Sequence, residues 1–174
     1  MPRAAADRET GPVADAAGLP AAVVVASNRA AAGVYDDTTG PLIQTMLARL
    51  GFTVDEPTVV PDGEPVGVAI AEAVAAGARV VLTTGGTGLT PTDRTPEATR
   101  PLLDREIPGI AEAIRAYGVA QGVPSAVLSR GLAGVAGQAL VVNLPGSQGG
   151  VRDALAVLTP WLVHAVEQIA GSDH

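Results

Sequence analysis

The sequence predicts an α/β fold, a three-layer sandwich with a mostly parallel central sheet and helices on both faces. Short, continuous, Val-rich apolar runs recur without polar alternation, as expected of strands buried on both faces. Between them lie apolar stripes at helical spacing, with glycines where the first two should end. Strand and helix therefore alternate over short loops, the pattern of βαβ units with right-handed crossovers.

The elements follow in order. Residues 1–20 mix Ala, Asp, Arg, Pro and Gly without periodicity and read as a tail. Asp7 and Glu9 sit where a secretory leader avoids acids, so a cytoplasmic chain is expected. Residues 21–26 read as the first strand. Leu42, Ile43, Met46, Leu47 and Leu50 make a helical stripe that ends at Gly51. Residues 52–60 read as one edge or bent strand, because Pro57 interrupts them. Val66, Ile70 and Val74 form the next helix, closed by Gly77, and residues 79–84 the next strand. Thr95-Pro96-Glu97 reads as a helix start with Thr95 as its cap. Ile107, Ile110, Ile114 and Tyr117 mark a further helix. Residues 125–128 and 138–144 are strand candidates, and helices are expected over 151–158 and 161–169, broken at Pro160. Residues 21–174 thus read as one domain.

Composition removes whole chemistries. The chain has 174 residues, no Cys and 2 His, and its 11 basic residues are all Arg. No thiolate nucleophile, Schiff base or Walker-type lysine is available. A Ser-His-Asp triad has only His164 and His174 to draw on. The net charge of −7 argues against nucleic acid and anionic membranes as partners. Any catalysis must use carboxylates, hydroxyls, Arg, backbone amides or a hard metal ion.

Ligands of open α/β sheets bind beyond the carboxyl ends of the parallel strands. Ser27, Asn28 and Arg29 follow the first expected strand, and Asp62 follows the second. Gly85, Gly86, Thr87 and Gly88 follow the third and run on to Asp93, Arg94 and Glu97. Pro145, Gly146 and Ser147 follow the last. The glycine loop reads either as a backbone grip on phosphate or as a plain tight turn. Asp62 and Asp93 beside it could share Mg²⁺, which takes a few carboxylates plus substrate phosphates. Taken singly, Asp62-Gly63 also reads as a turn pair and Asp93 as a helix-start residue. Arg29 and Arg94 could fork onto phosphate, whereas Arg100, Arg105 and Arg115 read as solvated faces or ion pairs. Asp36 and Asp37 read as a solvated turn.

Residues 83–99, Thr-Thr-Gly-Gly-Thr-Gly-Leu-Thr-Pro-Thr-Asp-Arg-Thr-Pro-Glu-Ala-Thr, closely resemble the signature of the MoaB/Mog family of molybdenum cofactor biosynthesis. The resemblance continues in Asp104-Arg105-Glu106-Ile107-Pro108-Gly109, in Leu128-Ser129-Arg130 and in Asn143-Leu144-Pro145-Gly146-Ser147. Upstream it includes Ser27-Asn28-Arg29, Gly33-Val34-Tyr35-Asp36-Asp37 and Val60-Pro61-Asp62. It implies molybdopterin adenylyltransferase activity: ATP adenylylates the terminal phosphate of molybdopterin, with Mg²⁺, and pyrophosphate leaves. By the matching positions, Asp62 and Asp93 would be the essential acids that carry or orient Mg²⁺. Gly85, Gly86, Thr87 and Gly88 would bind phosphates. Ser27, Asn28 and Arg29 would line the pocket, with Pro145, Gly146 and Ser147 on another wall, and Glu97 would support the loop or bind substrate. Many members carry Asp where this chain has Asn28, and an amide cannot bring that negative charge to a metal. The resemblance also implies a homotrimer, or a hexamer of two trimers, and a molybdenum insertase as downstream partner. The alternative it leaves open is a non-catalytic paralogue or carrier that binds molybdopterin without turnover.

Overall fold

A computed structural model of the chain describes residues 15–172. Seven strands form one sheet. They are β1 (Pro20–Ala26), β2 (Thr53–Val54), β3 (Thr58–Val60), β4 (Val80–Thr84), β5 (Arg105–Glu106), β6 (Ala133–Ala136) and β7 (Ala139–Leu144). The helices are α1 (Asn28–Ala31), α2 (Thr39–Arg49), α3 (Glu64–Ala75), α4 (Thr95–Thr99), α5 (Pro108–Ala120), α6 (Gln148–Leu158) and α7 (Leu162–Ile169). The spatial order is β2-β1-β4-β7-β6-β5, with β3 also on β1. The β1, β2, β3, β4 and β7 pairings are parallel, whereas β6 runs antiparallel to both β7 and β5.

The apolar strands explain the three layers. Side chains alternate between sheet faces, so a strand apolar at every position needs cover on both. Val23, Val25, Leu82, Leu140 and Val142 pack with α2, α5, α6 and α7. Val24, Val81 and Val141 pack on the opposite face with Val66 and Ile70 of α3. Among the described residues no helix is long and apolar enough to cross a membrane.

Topology fixes where a ligand can enter. The chain leaving β1 crosses to β2 and β3 on one side, and the chain leaving β4 goes toward β5, β6 and β7 on the other. The two connections part between the carboxyl ends of β1 and β4, opening the crevice used by doubly wound sheets. α4 is anchored at its rim by Asn143 of β7, which is 3% exposed. Its amide nitrogen donates to the hydroxyls of Thr83 in β4 and Thr99 in α4, both at 3.0 Å. Its oxygen accepts from the Leu132 amide at 3.0 Å.

Several sequence expectations are corrected. Residues 125–128 are a 3-10 turn that starts at Pro124, with Val127 and Leu128 exposed. The strand in that region is β6, whose Ala-Gly-Val-Ala sequence carries little strand propensity. The expected strand over 52–60 divides into β2 and β3. Three residues, 55–57, stand opposite two of β1 there, and Pro57 has no amide to donate to a ladder. The cap of α4 is Arg94 rather than Thr95, which is the first helical residue. The tail reading extends too far. Ala16 is buried, and its amide donates to Leu50 O at 2.8 Å. Residues 1–14 of that reading lie outside the described residues.

Replacing Asn143 with Leu strands the Leu132 amide and removes the shared partner of two buried hydroxyls. The expected cost is about 1–3 kcal/mol of unfolding free energy. A lower urea midpoint at unchanged m-value is the signature.

Candidate functional site

Two hollows meet at the carboxyl ends of the parallel strands. The larger, about 620 Å³, is lined by Gly86, Thr87, Gly88 and Asp93 after β4 and by Pro145, Gly146, Ser147, Gly149 and Gly150 after β7. Its far wall includes Ile114, Arg115 and Gly118 of α5, the 3-10 turn and Asp153 of α6. The smaller, about 160 Å³, takes in Ser27, Tyr35, Thr38, Thr39 and Gly85, and shares Gly146 with the first.

Backbone amides dominate the larger hollow. The N–H groups of Gly86, Thr87 and Gly88 donate to no acceptor among the described residues. The opening turn of α6 adds the unpaired N–H groups that every helix start presents. Ser147 caps that helix by accepting from the Gly150 amide at 3.0 Å. Through these amides the surface is suited to oxyanions, and Asp93, Asp153 and Arg115 are its charged lining residues.

The two acids pack against the same loop. Gly86 has φ +66, and a Cβ there would stand 2.8 Å from Asp62 Oδ1 and against Thr95 Oγ1. A Cβ on Gly88 would stand 2.7 Å from Asp93 Oδ2. Asp93 Oδ2 accepts from the Thr90 amide at 3.0 Å. Asp62 Oδ1 and Thr95 Oγ1 are buried without a partner among the described residues. Burial raises the Asp62 carboxyl pKa above its ordinary range, the Asn28 backbone partly offsets this, and the Asp93 charge raises it further.

The remaining expected residues fall around this centre, but Asn28 and Arg29, like Asp62, line neither hollow, and of the first motif only Ser27 does. Asn28 Oδ1 accepts from the Asp62 amide at 2.9 Å, so the departure from Asp at this position retains an acceptor that holds Asp62. Ser27 caps α1 through the Ala30 amide at 3.2 Å and shares a 2.9 Å hydrogen bond with the Tyr35 hydroxyl. Arg29 lies over the Tyr35 ring, 5.3 Å from its centroid. Arg94 and Glu97 line neither hollow. They flank a separate cleft between α3 and α4. Glu97 pairs with Arg130, whose hydrogen bond lowers its pKa.

Two arginines are corrected: Arg115 read as a solvated face or ion pair, and Arg130 entered only as part of a matching motif. Arg115 lines the larger hollow, and its guanidinium donates to the carbonyls of Ser129 at 3.2 Å and Gly131 at 3.4 Å. Helical spacing alone could not separate it from its solvated neighbours. Arg130 donates to Gly88 O at 2.9 Å, to Asp93 O at 2.8 Å and to Glu97. The Leu128-Ser129-Arg130 match was the available signal. Asp37 is likewise more than a solvated turn residue, because it accepts from the Thr39 and Gly40 amides at the start of α2.

Known proteins resemble this architecture closely. Residues 22–164 match the family model described as a probable molybdopterin binding domain. A molybdopterin biosynthesis Mog protein from Mycobacterium ulcerans shares 53% identity and a TM-score of 0.83, covering 87% of this chain and 99% of that one. A molybdopterin adenylyltransferase from Pyrococcus furiosus is 37% identical over 83% of this chain and 88% of its own length. A molybdenum cofactor biosynthesis bifunctional protein from Synechococcus elongatus is 40% identical over 95% of this chain and 52% of its own. The chain thus spans about half the length of the bifunctional relatives it matches.

Asp62 ionises less readily in the folded chain than in the unfolded one. Its favourable contribution to folding is therefore complete below the ordinary value of 3.8 and is lost as pH rises through the raised folded pKa. Without divalent cations, Asp62→Asn should gain thermal stability relative to the parent as pH climbs from about 4 toward neutrality. A gap in melting temperature that is flat or shrinks over that range contradicts this origin of the shift.

Proposed function

The chain belongs to the molybdopterin-binding domain family, and on that premise we propose that it is a molybdopterin adenylyltransferase. It would move AMP from ATP to the terminal phosphate of molybdopterin and release pyrophosphate. The relatives named molybdopterin adenylyltransferase support the reading. The observation that carries it is one hollow in which the unpaired amides of 86–88 meet the start of α6, with two acids packed against the same loop.

In this reaction an oxygen of the molybdopterin phosphate attacks the α-phosphorus of ATP. The bond from that phosphorus to the bridging oxygen breaks, and the electron pair leaves with pyrophosphate. The chain's part is to align the two phosphates and to stabilise charge on the equatorial oxygens. Amides of the two loops are suited to both tasks. A covalent protein intermediate is not required, and the nearby serines fit that: Ser27 and Ser147 are engaged as helix caps.

Mg²⁺ is implied by the resemblance, and the residues present fit it. Asp62 has a buried oxygen without a partner among the described residues, and it lies close enough to Asp93 to feel its charge. A cation would relieve both penalties. Asp62 and Asp93 would hold it, and it would supply charge neutralisation at the phosphate oxygens.

The purified chain, given ATP, Mg²⁺ and molybdopterin, should release pyrophosphate and form adenylylated molybdopterin. Asp62→Ala and Asp93→Ala should each lower turnover by about 100-fold or more. Binding of both ligands without product would instead support the carrier reading. Assembly as a trimer belongs to the same proposal, and exposed Leu89, Val127 and Leu128 offer apolar surface for it. Light scattering should give three times the 17.3 kDa chain mass, and a stable monomer at micromolar concentration contradicts it.

A further inference from the structure

Three successive carbonyls of the glycine loop are tied back to other parts of the chain. Gly86 O accepts from the Thr95 amide at 3.0 Å, and Thr87 O accepts from the Arg130 amide at 2.9 Å. Gly88 O accepts from Arg130 Nε at 2.9 Å. In a trans peptide the carbonyl of one residue points opposite to the N–H of the next. Anchoring these carbonyls therefore turns the N–H groups of Thr87, Gly88 and Leu89 to the other side. None of the three has an acceptor among the described residues. The same guanidinium takes Asp93 O at 2.8 Å, which aims the Arg94 N–H away and holds the peptide next to the Asp93 carboxylate.

We infer that Arg130 is a positioning residue for the transfer: its guanidinium fixes the exit of the glycine loop at Gly88 and the peptide that carries Asp93, and does not itself bind phosphate. The inference rests on the proposed reaction for its kinetic consequence but not for its structural one. All three donor nitrogens are engaged: Nε on Gly88 O, one terminal nitrogen on Asp93 O and the other on Glu97. Arg130 lines neither hollow at the strand ends. The Glu97 pair is open to water, with side chains 35% and 43% exposed, so its Coulombic contribution is small. What matters is the planar fork. It reaches two carbonyls and a carboxylate at fixed angles, which the single point donor of lysine cannot reproduce.

Arg130→Lys and Arg130→Ala, with Arg49→Lys as a remote exposed control, test the inference. Three measurements are made on each: melting temperature, the split of pyrophosphate release into kcat and KM for ATP, and backbone ¹⁵N relaxation. Arg130→Lys should keep the melting temperature within a few degrees and KM within about threefold, while kcat falls about 100-fold. Its order parameters should drop at Leu89 and Arg94 and hold at Gly88, whose direction depends on the backbone amide of residue 130. Millimolar guanidinium should restore part of kcat in Arg130→Ala. A rise in KM that matches the loss of kcat would make Arg130 a direct phosphate ligand and overturn the inference. So would unchanged kcat in Arg130→Lys, or unchanged order at Leu89 and Arg94. If the parent chain releases no pyrophosphate, the proposed reaction fails, and the relaxation data still decide the role of Arg130.

Discussion

Two missing side chains set the whole site. Asp62, Asp93 and the glycine-loop backbone occupy the same few ångströms only because Gly86 and Gly88 carry no Cβ. Any larger residue at 86 would meet Asp62 and Thr95, and at 88 it would meet Asp93. The positive φ of Gly86 adds a backbone requirement at the same point. Acids and glycine loop thus form one unit: Asp62 packs on Gly86, and Asp93 packs on Gly88 and lines the same hollow as the loop. On the proposed function, Asp62 and Asp93 would hold the cation that supplies charge neutralisation at the phosphate oxygens.

That unit would wander if it were merely a loop. It is fixed from three directions by side-chain hydrogen bonds. Asn143 binds β7 to β4 and to α4, which follows the loop. Asn28 holds the Asp62 backbone from the end of β1. Arg130 gathers the loop carbonyls from the segment before β6. Each anchor comes from a different stretch of chain, and all meet where the connections of β1 and β4 diverge. The sheet topology places the crevice, and these side chains make it stiff enough to serve as a preorganised binding surface.

The parallel half of the fold was legible because its strands are apolar without a break, and double burial is the only way to satisfy such a run. Leu82 and Val81 predict opposite layers before any coordinate is seen. The antiparallel half was not legible. Residues 133–136 are too small to mark a strand, and β5 is an exposed two-residue strand, Arg105–Glu106. Exposed Val127 and Leu128 imitated one. The candidate site was readable to the extent that it is built from glycines and acids at strand ends. The parts that escaped were side chains whose role depends on distant backbone: Arg130 reaching across 42 residues to Gly88, and Arg115 on a helix face that spacing alone leaves ambiguous.

The composition takes on a physical meaning in this setting. A chain of net charge −7 without lysine is an unpromising receptor for polyphosphates if attraction must come from side-chain charge. Its arginines near the site are largely engaged in holding backbone: Arg115 on the Ser129 and Gly131 carbonyls, Arg130 on Gly88 and Asp93. On the proposed function, attraction would fall to amide dipoles, which are neutral, directional and already oriented before a ligand arrives. Such dipoles lose little on binding, and they stabilise an equatorial array of oxygens as well as a ground-state phosphate. Long-range steering is weak in this arrangement, and specificity falls to geometry. On this account arginine is used at the site for its planar reach more than for its charge.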